Sequence, residues 1–216
     1  MNNYLYVLPI LIFSVIVHEI AHGYTALKCG DPTARDAGRL TLNPIPHIDL
    51  FGSIILPLLF VLSGSSVFIA WAKPVPINPN YFNNFKRDDF LVSIAGPLSN
   101  LIIGFVCCLG YILMYNIEPD PTDSSLIYFL SKMFISGISL NVILAVFNLI
   151  PVPPLDGSHI LATILPDSIA YYYRRIGFIG IFIVLFLLQL PMFRILLLKI
   201  VELILIPYKI FLDYFI

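Results

Sequence analysis

The sequence predicts an all-α membrane protein, a polytopic bundle of about four to six membrane helices. Its composition supports this fold class, because 59% of the 216 residues are hydrophobic and only 12% are charged. Soluble domains carry about twice that charged fraction. The mean hydropathy of +0.92 agrees with this interpretation. The apolar residues also form separate runs, as expected for several spans rather than one buried core.

The long apolar runs are residues 4–27, 90–115 and 126–150, and each is long enough for a membrane-spanning helix. The second run begins with the small and polar stretch Ala95 to Asn100, which predicts close packing against another helix. The third run ends at Pro151-Val152-Pro153-Pro154. Prolines cannot continue a helix, so the backbone should open at this point.

Residues 50–71 are apolar but are interrupted by Pro57 and by Ser63-Gly64-Ser65-Ser66. One interpretation is a re-entrant or short β element that enters and leaves by the same face; the other is a full crossing. Basic residues lie in 28–49, 72–89 and 151–175, whereas residues 116–125 have none. By the positive-inside rule the three basic segments face the cytoplasm, which favours the same-face interpretation.

The C-terminal part holds a short apolar run, Ile176 to Leu190, and a longer one, residues 193–216. At 100° per residue the longer run has a charged stripe formed by Lys199, Glu202, Lys209 and Asp213. Such a helix can lie in the membrane interface or cover the bundle with its stripe toward the headgroups. We expect one domain, residues 1–216, with a core at 4–166 and C-terminal helices at 170–216.

Several classes of function and of segment are excluded. The net charge of -1 gives no basic surface for nucleic acid. Cys29, Cys107 and Cys108 have neither the spacing of a disulfide framework nor that of zinc ligands, so we interpret them as apolar filler. The start, Met1-Asn2-Asn3, has no basic residue and no cleavage site follows it, so the first helix is not a signal peptide.

The first apolar run contains His18-Glu19-Ile20-Ala21-His22. Residues four apart share one helix face, so both imidazoles can bind one divalent ion. Glu19 points elsewhere but is close enough to act as general base on a water molecule, as in zinc hydrolases. A charged residue at the centre of a membrane helix costs roughly 2.5–3.5 kcal/mol. A bound cation would offset this cost, so the metal site is preferred over a chance match.

Catalytic zinc sites usually have three protein ligands, and the remaining candidates are His47, His159 and the carboxylates. Asp156 is the best candidate, because it follows the proline break and Gly157 allows another chain to approach closely. The alternative for Asp156 is an N-cap of the helix that begins near Gly157. His47 is expected to be structural or exposed, and His159 to lie near the site without being a ligand.

With both motifs in place, the chain resembles the site-2 protease family of intramembrane zinc metalloproteases, in its compact bacterial and archaeal branch without a PDZ or CBS domain. The matching residues are His18-Glu19-x-x-His22 and Asn148-x-x-Pro151-x-Pro153-x-x-Asp156-Gly157. Ala95-Gly96-Pro97 and Trp71-Ala72-Lys73-Pro74-Val75-Pro76 are also similar. The resemblance implies one Zn²⁺ per chain held by His18, His22 and Asp156. It implies catalysis by Glu19 and oxyanion stabilisation by Asn148.

The expected activity is hydrolysis of peptide bonds within or near transmembrane segments, as in regulated intramembrane proteolysis. The expected substrate is a single-span membrane protein, and the strand-like Val67–Ile77 could hold it by edge pairing. We expect a multi-pass protein of the inner (cytoplasmic) membrane whose active site faces the cytoplasm. The alternatives are a membrane metal-binding or transport protein and a non-proteolytic relative.

Overall fold

A helical bundle forms the described part of the protein, in agreement with the predicted fold class. The structure is a computed structural model that describes residues 4–55, 59, 72–122 and 125–216. Among these residues no strand occurs, so the described part of the predicted strand-like segment, residues 72–77, is irregular. Its remainder, residues 67–71, lies outside the described residues. The α-helices are α1 (Tyr4–Lys28), α2 (Thr33–Asp36), α3 (Phe85–Ile117), α4 (Leu126–Asn148), α5 (Asp156–Ile164), α6 (Asp167–Arg174), α7 (Gly180–Gln189) and α8 (Pro191–Phe215).

Shorter helical turns connect these helices. Single 3₁₀ turns occupy Ile45–His47, Pro79–Tyr81 and Gly177–Ile179, and a π-helical turn occupies Leu50–Ile55. Side-chain caps fix two of the long helices at their starts. Asn84 accepts a hydrogen bond from the Arg87 N–H before α3, and Ser125 accepts one from the Tyr128 N–H before α4. Such caps satisfy backbone donors that have no partner within the helix.

By length and composition, three of the described helices can cross a membrane: α1, α3 and α4. A fourth span is possible if α6 and residues 177–189, which are bent by 70° relative to each other, act as one. A total of four spans would be the lower end of the range predicted from the sequence. The helix α8 has 25 residues but includes five charged ones.

The core lies where α3 packs against α1, α4 and α8. Ile103, Cys107 and Cys108 of α3 are buried with Ile10 of α1 and Ile138 of α4. All three cysteines are buried and free, as the apolar-filler interpretation predicts. On α8, one face packs on α3 and α4, and the stripe formed by Lys199, Glu202, Lys209 and Asp213 is exposed. This packing fits the placement in which α8 covers the bundle, and the depth of α8 in the membrane stays a prediction.

The stretches that flank the interrupted apolar segment, residues 50–71, meet at one face of the bundle. The Lys73 N–H donates to the His47 carbonyl at 2.9 Å. Nearby, the Asn83 side chain donates to the Cys29 carbonyl at 2.8 Å. This geometry fits the same-face interpretation. The path between these ends, residues 56–58 and 60–71, lies outside the described residues, so the hairpin itself stays a prediction.

Cysteine labelling tests this topology. We expect Arg35→Cys and Lys86→Cys to react with an impermeant thiol reagent from one side of the membrane and Asp120→Cys from the other. All three positions are exposed, whereas the native cysteines are buried and should react slowly. Detergent-permeabilised membranes serve as the control, since every exposed position should then react. Labelling of positions 35 and 86 from opposite sides would contradict the same-face arrangement.

Candidate metal centre

The two histidines of α1 face each other one turn apart, as their spacing predicts. His18 and His22 are both buried. Their Nε2 atoms are 3.0 Å apart, so both nitrogens point at the same small volume. Local helix geometry alone produces this arrangement, because positions i and i+4 lie on one face.

Asp156 completes the cluster from another helix. Its Oδ2 lies 3.3 Å from His18 Nε2 and its Oδ1 lies 3.3 Å from His22 Nε2. Asp156 is the first residue of α5, and the N-cap position belongs to Leu155, which makes no side-chain capping bond. The carboxylate therefore faces the histidines rather than capping its own helix. Of the two interpretations left open by the sequence, the structure favours the ligand geometry.

The three side chains fit a metal ion. Their ligand atoms all lie within 4.8 Å of one another. Asp156 Oδ2 is buried and has no hydrogen-bond partner among the described residues, an arrangement that a cation would satisfy. Two imidazole nitrogens and one carboxylate oxygen form a ligand set typical of catalytic zinc sites.

The outer nitrogens of both rings are held by buried acceptors. His18 Nδ1 lies 2.6 Å from Asn100 Oδ1, and His22 Nδ1 lies 2.7 Å from the Val92 carbonyl. An acceptor at Nδ1 keeps the proton on that atom, which leaves the Nε2 lone pair free for a metal. The Asn100 amide in turn donates to Asn141 Oδ1 at 3.0 Å. This chain from α1 through α3 to α4 fixes the orientation of His18.

The sequence interpretation missed the roles of Asn100 and Asn141. Both amides are fully buried, and both lie inside long apolar helices. A polar side chain in such a position is expensive unless it is paired, so it marks a functional network. That cost is the signal in the sequence that could have identified them.

Gly96 gives the imidazoles the space that they occupy. A Cβ at this position would lie 2.5 Å from His18 Cε1 and 2.6 Å from His22 Cε1. Gly157 has a similar function beside Asp156, because its Cβ would lie 2.7 Å from the Ile150 carbonyl oxygen. The close approach predicted at Gly157 is therefore an approach to the end of α4. Both glycines allow helices to meet at the cluster.

Glu19 lies beside the cluster and does not belong to it. Its Oε2 accepts a hydrogen bond from the Val75 N–H at 2.7 Å. The segment 72–78 therefore passes next to Glu19. Two buried side chains hold this segment: Arg39 donates to the Lys73 carbonyl at 2.6 Å, and Asp31 accepts from the Asn78 N–H at 2.7 Å.

The other candidates from the sequence lie outside the cluster of described residues. His47 Nε2 lies 2.9 Å from the Thr41 carbonyl, a structural contact as expected. His159 Nδ1 lies 3.3 Å from Asp89 Oδ1 rather than at the metal cluster. The Asn148 amide donates to the Leu144 carbonyl at 3.0 Å.

Comparison with known proteins agrees with this geometry. The model of peptidase family M50 matches residues 6–189. The chain belongs to peptidase family M50. This confirms the resemblance to site-2 proteases and makes the chain an intramembrane metallopeptidase, given its apolar helices.

Relatives of this M50 peptidase include bacterial and archaeal proteins. It is 39% identical over 203 residues to YwhC of Bacillus subtilis, a candidate zinc metalloprotease, covering 88% of this chain and 87% of that protein. It is 33% identical to Rip2 of Mycolicibacterium smegmatis, also a candidate zinc metalloprotease, over 68% of this chain and 52% of Rip2. A zinc metalloprotease of Methanocaldococcus jannaschii is 31% identical over 79% of this chain and 38% of its own length. No solved structure matches the chain.

Proposed function

We propose that this M50 peptidase is a zinc metalloprotease that cleaves membrane proteins within or near their transmembrane segments, with all of residues 1–216 forming one catalytic domain. The observation that carries the proposal is the cluster of the buried His18 and His22 with the partly buried Asp156, beside Glu19. The relatives named as zinc metalloproteases support zinc as the metal. The proposed regulated form of this proteolysis follows from the family resemblance.

Each chain would hold one zinc ion through His18, His22 and Asp156. A bound zinc ion supplies a Lewis acid that brings the pKa of water close to ~7 and polarises a carbonyl. The ligand side chains contribute orientation: Asn100 and the Val92 carbonyl fix the two rings. The two imidazoles are buried, and the Asp156 side chain is partly exposed.

Glu19 is the proposed general base. Its carboxylate takes a proton from the attacking water and later returns it to the leaving amine. The Val75 N–H, at 2.7 Å from Oε2, fixes the carboxylate without neutralising it. Because Glu19 is not part of the ligand cluster, it is available for proton transfer. A base beside the ligands favours hydrolysis over metal transport, which does not need one.

Asn148 is the proposed oxyanion donor. One of its amide protons bonds to the Leu144 carbonyl, and an amide nitrogen carries two protons. The second proton is available for a substrate carbonyl. Asn148 is the last residue of α4, just before the opened proline stretch that leads to Asp156.

The proposed substrate is a single-span protein of the inner (cytoplasmic) membrane, cut near its cytoplasmic end. His18 and His22 lie inside a helix that can span the membrane, ten and six residues before its basic end at Lys28 by the numbering. A folded soluble domain cannot enter between apolar helices. A membrane helix hides its peptide bonds and must unwind locally, which costs several kcal/mol per opened turn in lipid. Residues that weaken the helix, such as Gly, Pro or Asn, should therefore favour cleavage.

A comparison of cells tests the proposal. We expect transmembrane fragments to accumulate in cells that carry Glu19→Gln and to be absent or scarce in wild-type cells. General bases typically contribute 10²–10⁴-fold to rate, so a loss of this order should stop turnover. Glu202→Gln is the matched control, because Glu202 is exposed on α8. Identical fragment profiles for the two variants at equal expression would contradict the proposal.

A further inference from the structure

A cavity of about 770 Å³ lies outside the metal centre, between the start of α3 and the helices α5 and α6. It does not contain any of the proposed ligands or catalytic residues. Its walls come from three separate segments, so the fold rather than one loop creates it. The lining residues are Asn84, Phe85, Lys86, Ala162, Asp167, Ala170, Tyr171, Arg174 and Arg175. We refer to it as the basic cavity.

Positive charge exceeds negative charge in the basic cavity, with three basic side chains and one acidic one. Lys86 Nζ is 2.7 Å from Asp167 Oδ1, and Arg174 donates to the buried Asp89 at 2.8 Å. Arg175 forms no ion pair with the described residues. Arg175 therefore gives the basic cavity an uncompensated cation, which is suited to an anion.

Aromatic and apolar groups form the rest of the basic cavity. The Arg174 guanidinium lies 4.7 Å from the centre of the Phe85 ring, and the Arg175 guanidinium lies 5.2 Å from the centre of the Tyr171 ring. Stacking of this kind pre-orients a guanidinium. Ala162 and Ala170 add apolar wall. An amphiphile with a negative head and an apolar body matches both kinds of surface.

The helix α6 has the composition of a helix at a membrane surface. Its sequence, Asp167 to Arg174, ends with three consecutive tyrosines and Arg174, and Arg175 follows directly. Tyrosine and arginine are enriched at the level of lipid headgroups. Tyr171 and Tyr172 are more than half exposed, at 58% and 70%. This composition is typical of a helix at the level of phospholipid headgroups, and the basic cavity lies against this helix.

We propose that the basic cavity binds the phosphate of an anionic phospholipid. The phosphate would lie among Lys86, Arg174 and Arg175, and the glycerol and first acyl carbons would lie against Phe85 and Ala162. Basic pockets between helices on the cytoplasmic side typically bind such headgroups. Since Lys86 belongs to α3 and both arginines belong to α6 or directly follow it, one bound lipid would connect these helices. The full chain should then be more stable with an anionic lipid than without it.

Thermal unfolding of the purified chain in a neutral detergent tests this site. We expect phosphatidylglycerol to raise the unfolding midpoint of the wild type and phosphatidylcholine at the same mole fraction to leave it unchanged. Arg175→Gln and Lys86→Gln should each lose at least half of the shift, because each removes a positive charge that is proposed to contact the phosphate. Both side chains are exposed, so both variants should still fold. Arg35→Gln is the matched control. It also removes an exposed arginine, but one that pairs with Asp36 at 2.9 Å.

Native mass spectrometry provides the second measurement. Wild type and Arg35→Gln should retain phosphatidylglycerol, and Arg175→Gln should retain less. Inorganic phosphate at the same concentration should give no shift; an equal shift would assign the basic cavity to a free anion and overturn the lipid proposal. Equal losses in Arg175→Gln and Arg35→Gln would also overturn it, because they would indicate non-specific attraction to the charged surface.

Discussion

Asp156→Ala is expected to reduce the zinc content of the purified protein from about one ion per chain to almost none, because two ligands cannot complete a catalytic site. His18→Ala and His22→Ala should have the same effect. The three side chains come from two helices, and their ligand atoms are within 4.8 Å of one another. Elemental analysis of purified variants measures the outcome. Glu19→Gln should keep its zinc, since Glu19 is not in the cluster.

Two controls make this result specific. His159→Ala should retain zinc, because His159 contacts Asp89 instead. Asp120→Ala removes an exposed carboxylate in the segment between α3 and α4, outside the cluster, and should also retain zinc. Zinc at the wild-type level in Asp156→Ala would remove Asp156 from the ligand set, and His159 would be the next side chain to replace.

Gly96→Ala is expected to lower zinc affinity roughly 10- to 100-fold, the size seen when groups that orient metal ligands are disturbed. The new methyl group would come within 2.6 Å of His22 Cε1 and 2.5 Å of His18 Cε1. At least one ring must then rotate away and give up its contact with Asn100 or with the Val92 carbonyl. Zinc titration of the purified variant measures the loss.

Gly104→Ala is the matched control on the same helix. Its closest new contact would be Tyr208 Cε1 at 3.2 Å, and its contact with Asn141 Cβ at 3.7 Å is an ordinary van der Waals distance, so no imidazole has to move. We expect this variant to change stability slightly and to bind zinc as the wild type does. Equal zinc affinities for Gly96→Ala and Gly104→Ala would show that the imidazoles tolerate the methyl group and that Gly96 is not required.

The sequence by itself determined the helical membrane class and the facing arrangement of two of the three side chains in the candidate metal centre. In lipid every backbone N–H and C=O group needs a partner within the protein, and a long apolar run meets this need by forming a helix. The facing of His18 and His22 follows from helix periodicity, which is a local property. For the same reason Glu19 could be assigned a separate role from its position next to His18.

Only the tertiary structure decided which groups from distant parts of the chain contact His18 and His22. Asp156 could cap α5 or bind a metal on local grounds alone, and the packing of α5 against α3 brings its carboxylate to both Nε2 atoms of α1. Asn100 and Asn141 hold His18 through contacts between residues 82 and 41 positions apart. Gly96 and Val75 reach the centre in the same way. These pairings depend on how the helices are positioned and rotated against one another, and no periodicity within a single helix encodes that.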